Sequence, residues 1–172
     1  ARMARKLEGD FVELGTGRGF LMSAVLADYD GWAEDVRSLH LFDTFLSTPP
    51  NQEGEQRDDV EPSPFYATSV DDVRANFAEW PRVQIHEGDV FETLPNAAIE
   101  RIAFLHVDMN HHDPESFGIR RLWPKMSKGA VMLLDDYAHY NCRMQYRAVN
   151  ALATELGFDV LSTPTGQGLV VK

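Results

Sequence analysis

Glu13-Leu14-Gly15-Thr16-Gly17-Arg18-Gly19 follows the apolar run 10–14 and leads into a helical pattern over residues 20–29. A strand that feeds a glycine-rich turn and then a helix is the opening unit of an α/β fold. Glycines let the backbone turn sharply and approach a ligand with no Cβ in the way. The dinucleotide fingerprint G-x-G-x-x-G requires a third glycine at position 20, and Phe20 stands there. In this chain the third glycine comes one residue early, and an acid precedes the first by two.

An acid followed by G-x-G-x-G is the usual pattern of a loop for S-adenosylmethionine (SAM). SAM has no pyrophosphate, so its loop needs no anion cradle, and Glu13 can face the cationic amine of its methionine part. The plain alternative is an ordinary glycine-rich turn. Two further acids weigh against it. Asp43 closes the run 39–42, followed by Thr44, where a carboxylate can accept both hydroxyls of a ribose. Asp89 follows the run 83–86, with Val90 and Phe91 placed to flank an adenine ring. The cofactor set expected from the sequence is Glu13, Gly15, Thr16, Gly17, Arg18, Gly19, Asp43, Thr44, Asp89, Val90 and Asp108.

Outward from the loop, apolar runs at 10–14, 39–42, 83–86, 102–107 and 130–134 alternate with helical patterns near 20–29, 70–80, 115–126 and 143–156. That alternation predicts a mostly parallel sheet with helices on both faces. Ser69 before Asp71 and Asp72 supplies a cap and early negative charge to one helix, and Gly157 is placed to end another. The last stretch differs. Residues 158–162 and 169–171 read as strands joined by Pro164-Thr165-Gly166-Gln167-Gly168, too short for a crossover. A seven-stranded sheet that ends in an antiparallel hairpin is the outline of a Rossmann-like class I methyltransferase.

The length of 172 residues fits one domain, 1–172. Residues 45–68 hold Pro49, Pro50, Pro62 and Pro64 among polar residues, which blocks regular structure. This loop follows a strand at the sheet's carboxyl edge, so a substrate lid is expected there. The net charge of −11 argues against nucleic acid, which demands clustered Lys and Arg. No apolar run approaches the ~20 residues of a membrane span. The basic start Ala1–Lys6 is followed by no signal-peptide core. It also lacks an initiator Met, so the sequence reads as a fragment or a processed product. One cysteine, Cys142, excludes an internal disulfide and suits a reducing cytoplasm.

The remaining acids decide the chemistry. Asp108 ends the run 102–107, and Asp135-Asp136 end 130–134, at the same edge of the predicted sheet. Adjacent acids after an apolar strand are costly unless solvated, paired or bound to a cation. Three carboxylates with all-oxygen character match a hard cation such as Mg²⁺. The alternative is that Asp136 caps a loop and Asp108 binds cofactor or backbone. His111 and His112 follow Asp108, and His139 follows Asp136. As bases the order is Asp108 first, then His111 and His139, with local hydrogen bonding as the alternative for each histidine. Tyr137 and Tyr140 either line an acceptor pocket or pack; Trp32, Trp80 and Trp123 read as packing residues.

With these residues in place, the sequence resembles the macrocin O-methyltransferase family. The likeness rests on the Glu13-x-Gly15-x-x-Arg18-Gly19 opening, Phe42-Asp43-Thr44-Phe45, Gly88-Asp89, and Asp108 with Asp135-Asp136-Tyr137. It runs from about Gly9 to the end of the chain. It implies SAM- and Mg²⁺-dependent methylation of sugar hydroxyls on antibiotics. It also implies Asp108, Asp135 and Asp136 as metal ligands, with Asp108 placed to take the hydroxyl proton. Family members carry an additional N-terminal segment that helps build the substrate site and a homo-oligomer. Two departures stand out: Phe20 replaces a glycine, and Asp108-Met109-Asn110-His111-His112 replaces the usual D-G-D-x-Y.

The expected activity is therefore methyl transfer from SAM to a hydroxyl oxygen of a small-molecule acceptor, a sugar or a natural-product glycoside, assisted by a divalent metal. Two rivals are a metal-independent SAM enzyme acting on nitrogen or phenol oxygen, and a SAM-fold binding subunit without chemistry.

Overall fold

The strand that feeds the glycine loop, β1 (Asp10–Leu14), sits third in a seven-stranded sheet. The computed structural model describes residues 1–46, 69–140 and 142–172. Along the chain, β1 is followed by α1 (Phe20–Ala27), β2 (Leu39–Asp43), α2 (Val70–Asn76) and β3 (Val83–Glu87). Then come α3 (Val90–Thr93), β4 (Ile102–Val107), α4 (His112–Leu122), β5 (Met126–Leu134), α5 (Arg143–Leu156), β6 (Leu161–Ser162) and β7 (Gly168–Val171). The strand order is β3-β2-β1-β4-β5-β7-β6, with β7 alone antiparallel to its neighbours. The Rossmann-like sheet with a terminal antiparallel pair is the expected architecture.

The order reverses at β1. The chain winds outward through β2 and β3, then returns to place β4 on the other side of β1. A crevice opens at the carboxyl ends beside such a reversal. The register brings the strand ends level there: Leu14 pairs with Phe42 and Val107, Asp43 with Glu87, and Val107 with Leu134.

Alternation along the strands sends side chains to two cores. Val12, Leu14, Leu105, Val107, Met132 and Leu134 pack with Ile119 and Leu122 of α4 and Val149 and Leu152 of α5. Phe11, Leu39, Leu41 and Phe104 pack with Met22 and Leu26 of α1 and Val73 of α2 on the opposite face. Each buried aliphatic side chain contributes roughly 1.5–3 kcal/mol relative to exposure.

Several boundaries differ from expectation. β5 starts at Met126, four residues before the expected 130, because Met126 already pairs with Ile102 ahead of an irregularity in register. The polar Ser127-Lys128-Gly129 hides that start, and Gly129 takes a φ of +85°. α4 begins at His112 instead of 115, with Pro114 in its first turn, and yields at Leu122 to a 3₁₀ turn holding Pro124. α1 and α2 end at Ala27 and Asn76, short of 29 and 80. β6 is only Leu161–Ser162; Phe158, expected as its start, is buried with its ring 4.6 Å from that of Trp123. The caps stand as read: Ser69 accepts from the Asp71 amide at 3.2 Å, and Gly157 ends α5 at φ +72°. Of the lid expected over 45–68, residues 47–68 lie outside the described residues. Among the described residues no helix is long and apolar enough to cross a membrane.

Candidate functional site

The crevice at the reversal is a cavity of about 710 Å³, and the glycine loop, Asp43, Asp108 and Asp135 all line it. This is within the usual size range of small-molecule sites.

The loop is folded against β2. The amides of Gly15 and Thr16 donate to the Phe42 carbonyl at 2.9 and 3.2 Å. Gly15 has φ +87°, and a Cβ there would lie 1.9 Å from the Asp108 carbonyl oxygen, so the close approach of β1 and β4 requires glycine. A Cβ on Gly17 would meet nothing within 4 Å, which leaves the cleft side of the loop open. Asp43 is locked in place: Oδ2 accepts from the Gly17 amide and Oδ1 from the Phe45 amide, both at 2.7 Å. Each oxygen retains a lone pair for a further donor. Thr16, Arg18, Thr44 and Val90 also line the cavity, while Gly19 starts α1 beneath it, against the Phe77 ring. Asp89 lines the cavity as an exposed residue that caps α3, accepting from the Phe91 amide at 2.9 Å. Phe91 is braced by Phe117, with ring centroids 4.7 Å apart.

Glu13 has a second task that the loop motif does not reveal. Its side chain is buried, and Oε1 lies 3.0 Å from Nδ1 of His106 on β4. Burial pushes the Glu13 carboxyl up; burial also pulls His106 down, but its hydrogen bond to Glu13 and the charges of Glu13, Asp108 and Asp135 together leave it raised. The contact joins the neighbouring strands β1 and β4. Glu13 Oε2 is buried with no hydrogen-bond partner among the described residues, and both residues line the cavity. An unmatched carboxylate oxygen beside an open glycine loop fits a ligand that brings a donor or a cation.

Asp108, Asp135 and Asp136 each place one oxygen within 4.8 Å of the others. Asp108 and Asp135 line the cavity, and Asp136 stands behind them. Burial, then the like charge of Asp136, push the Asp108 carboxyl up to about 7. Asn110 donates to Asp108 Oδ1 at 3.2 Å, and Gln167 donates to Asp135 Oδ1 at 3.3 Å from the β6–β7 loop. Three crowded carboxylates on adjoining strand ends fit a hard divalent cation, which would relieve the repulsion that raises Asp108.

The histidines separate. His111 lines the cavity and caps α4, its Nδ1 accepting from the Asp113 amide at 3.3 Å. His112 pairs with Asp113 at 2.9 Å. His139 is exposed and outside the lining, near Asp136 and Cys142. Tyr137 is buried and donates to Asn150 Oδ1 at 3.1 Å, so it packs; Tyr140 is 84% exposed. Trp32 and Trp123 are core residues.

Sequence reasoning missed two residues here. His106 is a polar residue inside the apolar run 102–107, and its position opposite Glu13 was the available signal. Glu115 in the first turn of α4 reads as a helix-dipole partner. It is instead buried, accepting from the Met109 amide at 3.2 Å, and burial followed by Asp136 and Asp108 raises its carboxyl well above the usual range.

Known proteins resemble this chain in sequence and in fold. The macrocin-O-methyltransferase family matches residues 2–159. The chain is 28% identical over 153 residues to 8-demethyl-8-(2,3-dimethoxy-alpha-L-rhamnosyl)-tetracenomycin-C 4'-O-methyltransferase of Streptomyces olivaceus, covering 82% of this chain and 58% of that protein. Mycinamicin III 3''-O-methyltransferase of Micromonospora griseorubida is 26% identical over 165 residues, 86% of this chain and 64% of the relative. The chain thus spans less than two thirds of the length of these relatives. In fold it is similar to the O-methyltransferase NovP (TM-score 0.77, 24% identity, 98% of this chain and 73% of that one). The calicheamicin methyltransferase CalS11 is similar too (TM-score 0.76, 17% identity, 99% and 74%). A sheet reversed at a glycine loop, closed by an antiparallel strand and matched over nearly its whole length, makes this chain a member of the macrocin-O-methyltransferase family.

Proposed function

We propose that this chain is the catalytic part of a SAM-dependent O-methyltransferase that acts on a hydroxyl of a sugar-bearing natural product with the help of a divalent cation. One observation carries the reading: the glycine loop with Asp43 and the carboxylates Asp108 and Asp135 line a single cavity. The family and the glycoside-directed names of its relatives support the choice of acceptor.

Glu13, Gly15, Gly17, Asp43, Asp89 and Val90 would hold SAM, and Asp108, Asp135 and Asp136 the cation. Bound there, SAM supplies a methyl already activated on a sulfonium, and the cation favours the ionised form of a hydroxyl. The chain's own task is alignment and proton removal. Asp43, pinned by two amides, accepts the ribose hydroxyls and fixes the ligand along the cleft. Alignment of this kind contributes several kcal/mol, up to ~7–11 in favourable cases. Asp108, which lines the cavity, would take the hydroxyl proton on its carboxylate. His111 at the cavity wall is the second candidate for that proton, while His139 lies outside the lining.

Asp108→Asn, with titration calorimetry of SAM alongside a methyl-transfer assay on a rhamnosylated acceptor, separates binding from chemistry. SAM affinity is expected to stay within about threefold while turnover falls ~10²–10⁴-fold, the range of general base catalysis. Full turnover in Asp108→Asn would remove it as the base. Turnover that survives both EDTA and Asp135→Asn would favour the metal-independent rival, and no SAM binding by the unaltered chain would favour a non-catalytic subunit.

A further inference from the structure

The turn that leads from β5 to α5 gathers a second set of ligand atoms behind the oxygen triad. Asp136, His139 and Cys142 recur at every third residue, and one ligand atom from each lies within 4.8 Å of the other two. Their chemistry differs from that of the triad: a carboxylate oxygen, an imidazole nitrogen and a thiol sulfur. Such a mixed set suits ions of the zinc class, whereas Mg²⁺ prefers oxygen. Cys142 is buried at the N-cap of α5 and in no disulfide. His139 is exposed, which gives an ion a route from solvent.

The backbone of the turn is braced on both sides. Cys142 N donates to the His139 carbonyl at 3.0 Å, and Ala138 N to the Gly166 carbonyl at 2.6 Å. Tetrahedral zinc, with bonds of about 2.0–2.3 Å, sets its ligand atoms roughly 3.3–3.8 Å apart. Side-chain shifts of about 1 Å would bring atoms 4.8 Å apart to that spacing. The other mixed group, His111, His112 and Asp113, is less suited, because Nδ1 of His111 already accepts from the Asp113 amide and two of its ion-ligating neighbours are paired with each other.

We propose that Asp136, His139 and Cys142 form a second divalent-cation site, for a thiophilic ion of the zinc class, with water as the fourth ligand. Asp136 has two carboxylate oxygens, so it belongs to this site and to the oxygen triad at once. The site does not depend on the triad holding a cation.

Cobalt(II) as a stand-in for zinc tests it on the full chain stripped with EDTA. Titration is expected to develop the near-ultraviolet thiolate-to-cobalt absorption, saturating at a single equivalent and persisting in excess Mg²⁺. Cys142→Ser abolishes the absorption, His139→Ala weakens binding about tenfold or more, and Asp108→Asn leaves the band in place. Cobalt held by the triad alone gives no sulfur band, so the two sites are told apart. No thiolate absorption from the unaltered chain overturns the proposal. An affinity unchanged by His139→Ala does so as well, and that exposed position decides the matter if Cys142→Ser fails to fold.

Discussion

At the scale of the residue, the site depends on a few positions where only one side chain fits. Gly15 is one. A methyl group there would press into the Asp108 carbonyl from a left-handed φ, so Gly15→Ala must part β1 from β4 or deform the loop. The expected result is loss of measurable SAM binding in calorimetry and a fall in stability of about 1–3 kcal/mol by urea titration. Gly17→Ala, with open space around its Cβ, serves as the comparison and should cost less stability. Glu115 is another such position. Its raised carboxyl is protonated when folded and ionises more readily when unfolded, so its contribution is present at low pH and lost as pH rises through its folded value. Glu115→Gln keeps the acceptor for the Met109 amide and removes the charge. Urea midpoints should match at pH 5 and favour the variant by on the order of 1 kcal/mol at pH 8. A variant less stable at pH 8 would show that the buried acid is ionised and paired.

At the scale of the element, the β6–β7 hairpin reaches the site from outside it. Its loop carries Gln167, which donates to Asp135. Gly168, the first residue of β7, has no room for a side chain: a Cβ would sit 2.8 Å from Tyr137 Cγ and Val160 Cγ1. Gly168→Val is expected to destabilise by about 1–3 kcal/mol through overpacking. It should also weaken Mg²⁺ binding, read by calorimetry, while SAM affinity is spared. Equal loss of both affinities would show a general unfolding effect instead of a local one.

The elements also show what sequence reasoning reaches. The strands Asp10–Leu14 and Ile102–Val107 are read to the residue, because burial on both faces keeps them mostly apolar in spite of Asp10, Glu13 and His106. The first four residues of β5 are hidden, since the start of the strand is only partly buried and tolerates Ser127 and Lys128. α3 is missed because a single capped turn has no periodicity to detect. At the candidate site, the acids at strand ends are visible because charge is conspicuous after an apolar run. His106 and Glu115 are not, because their partners are supplied by other strands and by a loop that only the fold brings near.

At the scale of the whole molecule, opposing titrations shape stability. Asp108, pushed up to about 7 by burial and Asp136, holds more protons folded than unfolded, so stability falls as pH rises from about 4 to 7. His86, pushed down to about 4 by burial and then by His40, does the reverse: its contribution is present above about 6.5 and lost as pH falls to 4. Between pH 4 and 6.5 the two largely cancel. Above 6.5 the fall from Asp108 is uncompensated, and the raised His106 adds to it. In EDTA the unfolding temperature should therefore drop between pH 6.5 and 8, by the equivalent of on the order of 1 kcal/mol. Mg²⁺ should flatten that drop, and Asp108→Asn should shrink it. A slope that Asp108→Asn leaves untouched would place its origin elsewhere.

The strand order carries one more consequence, for the route by which the fold is reached. β6 precedes β7 along the chain yet lies outside it, so β6 joins the sheet only through β7. The hairpin must close first as a local unit and then add to the sheet edge whole, a late and non-local event. Gln167 arrives with it. The half of the cleft made by β1, β2 and β4 does not wait for the hairpin, whereas the brace on Asp135 does. Refolding followed by both probes should regain SAM binding ahead of Mg²⁺ binding.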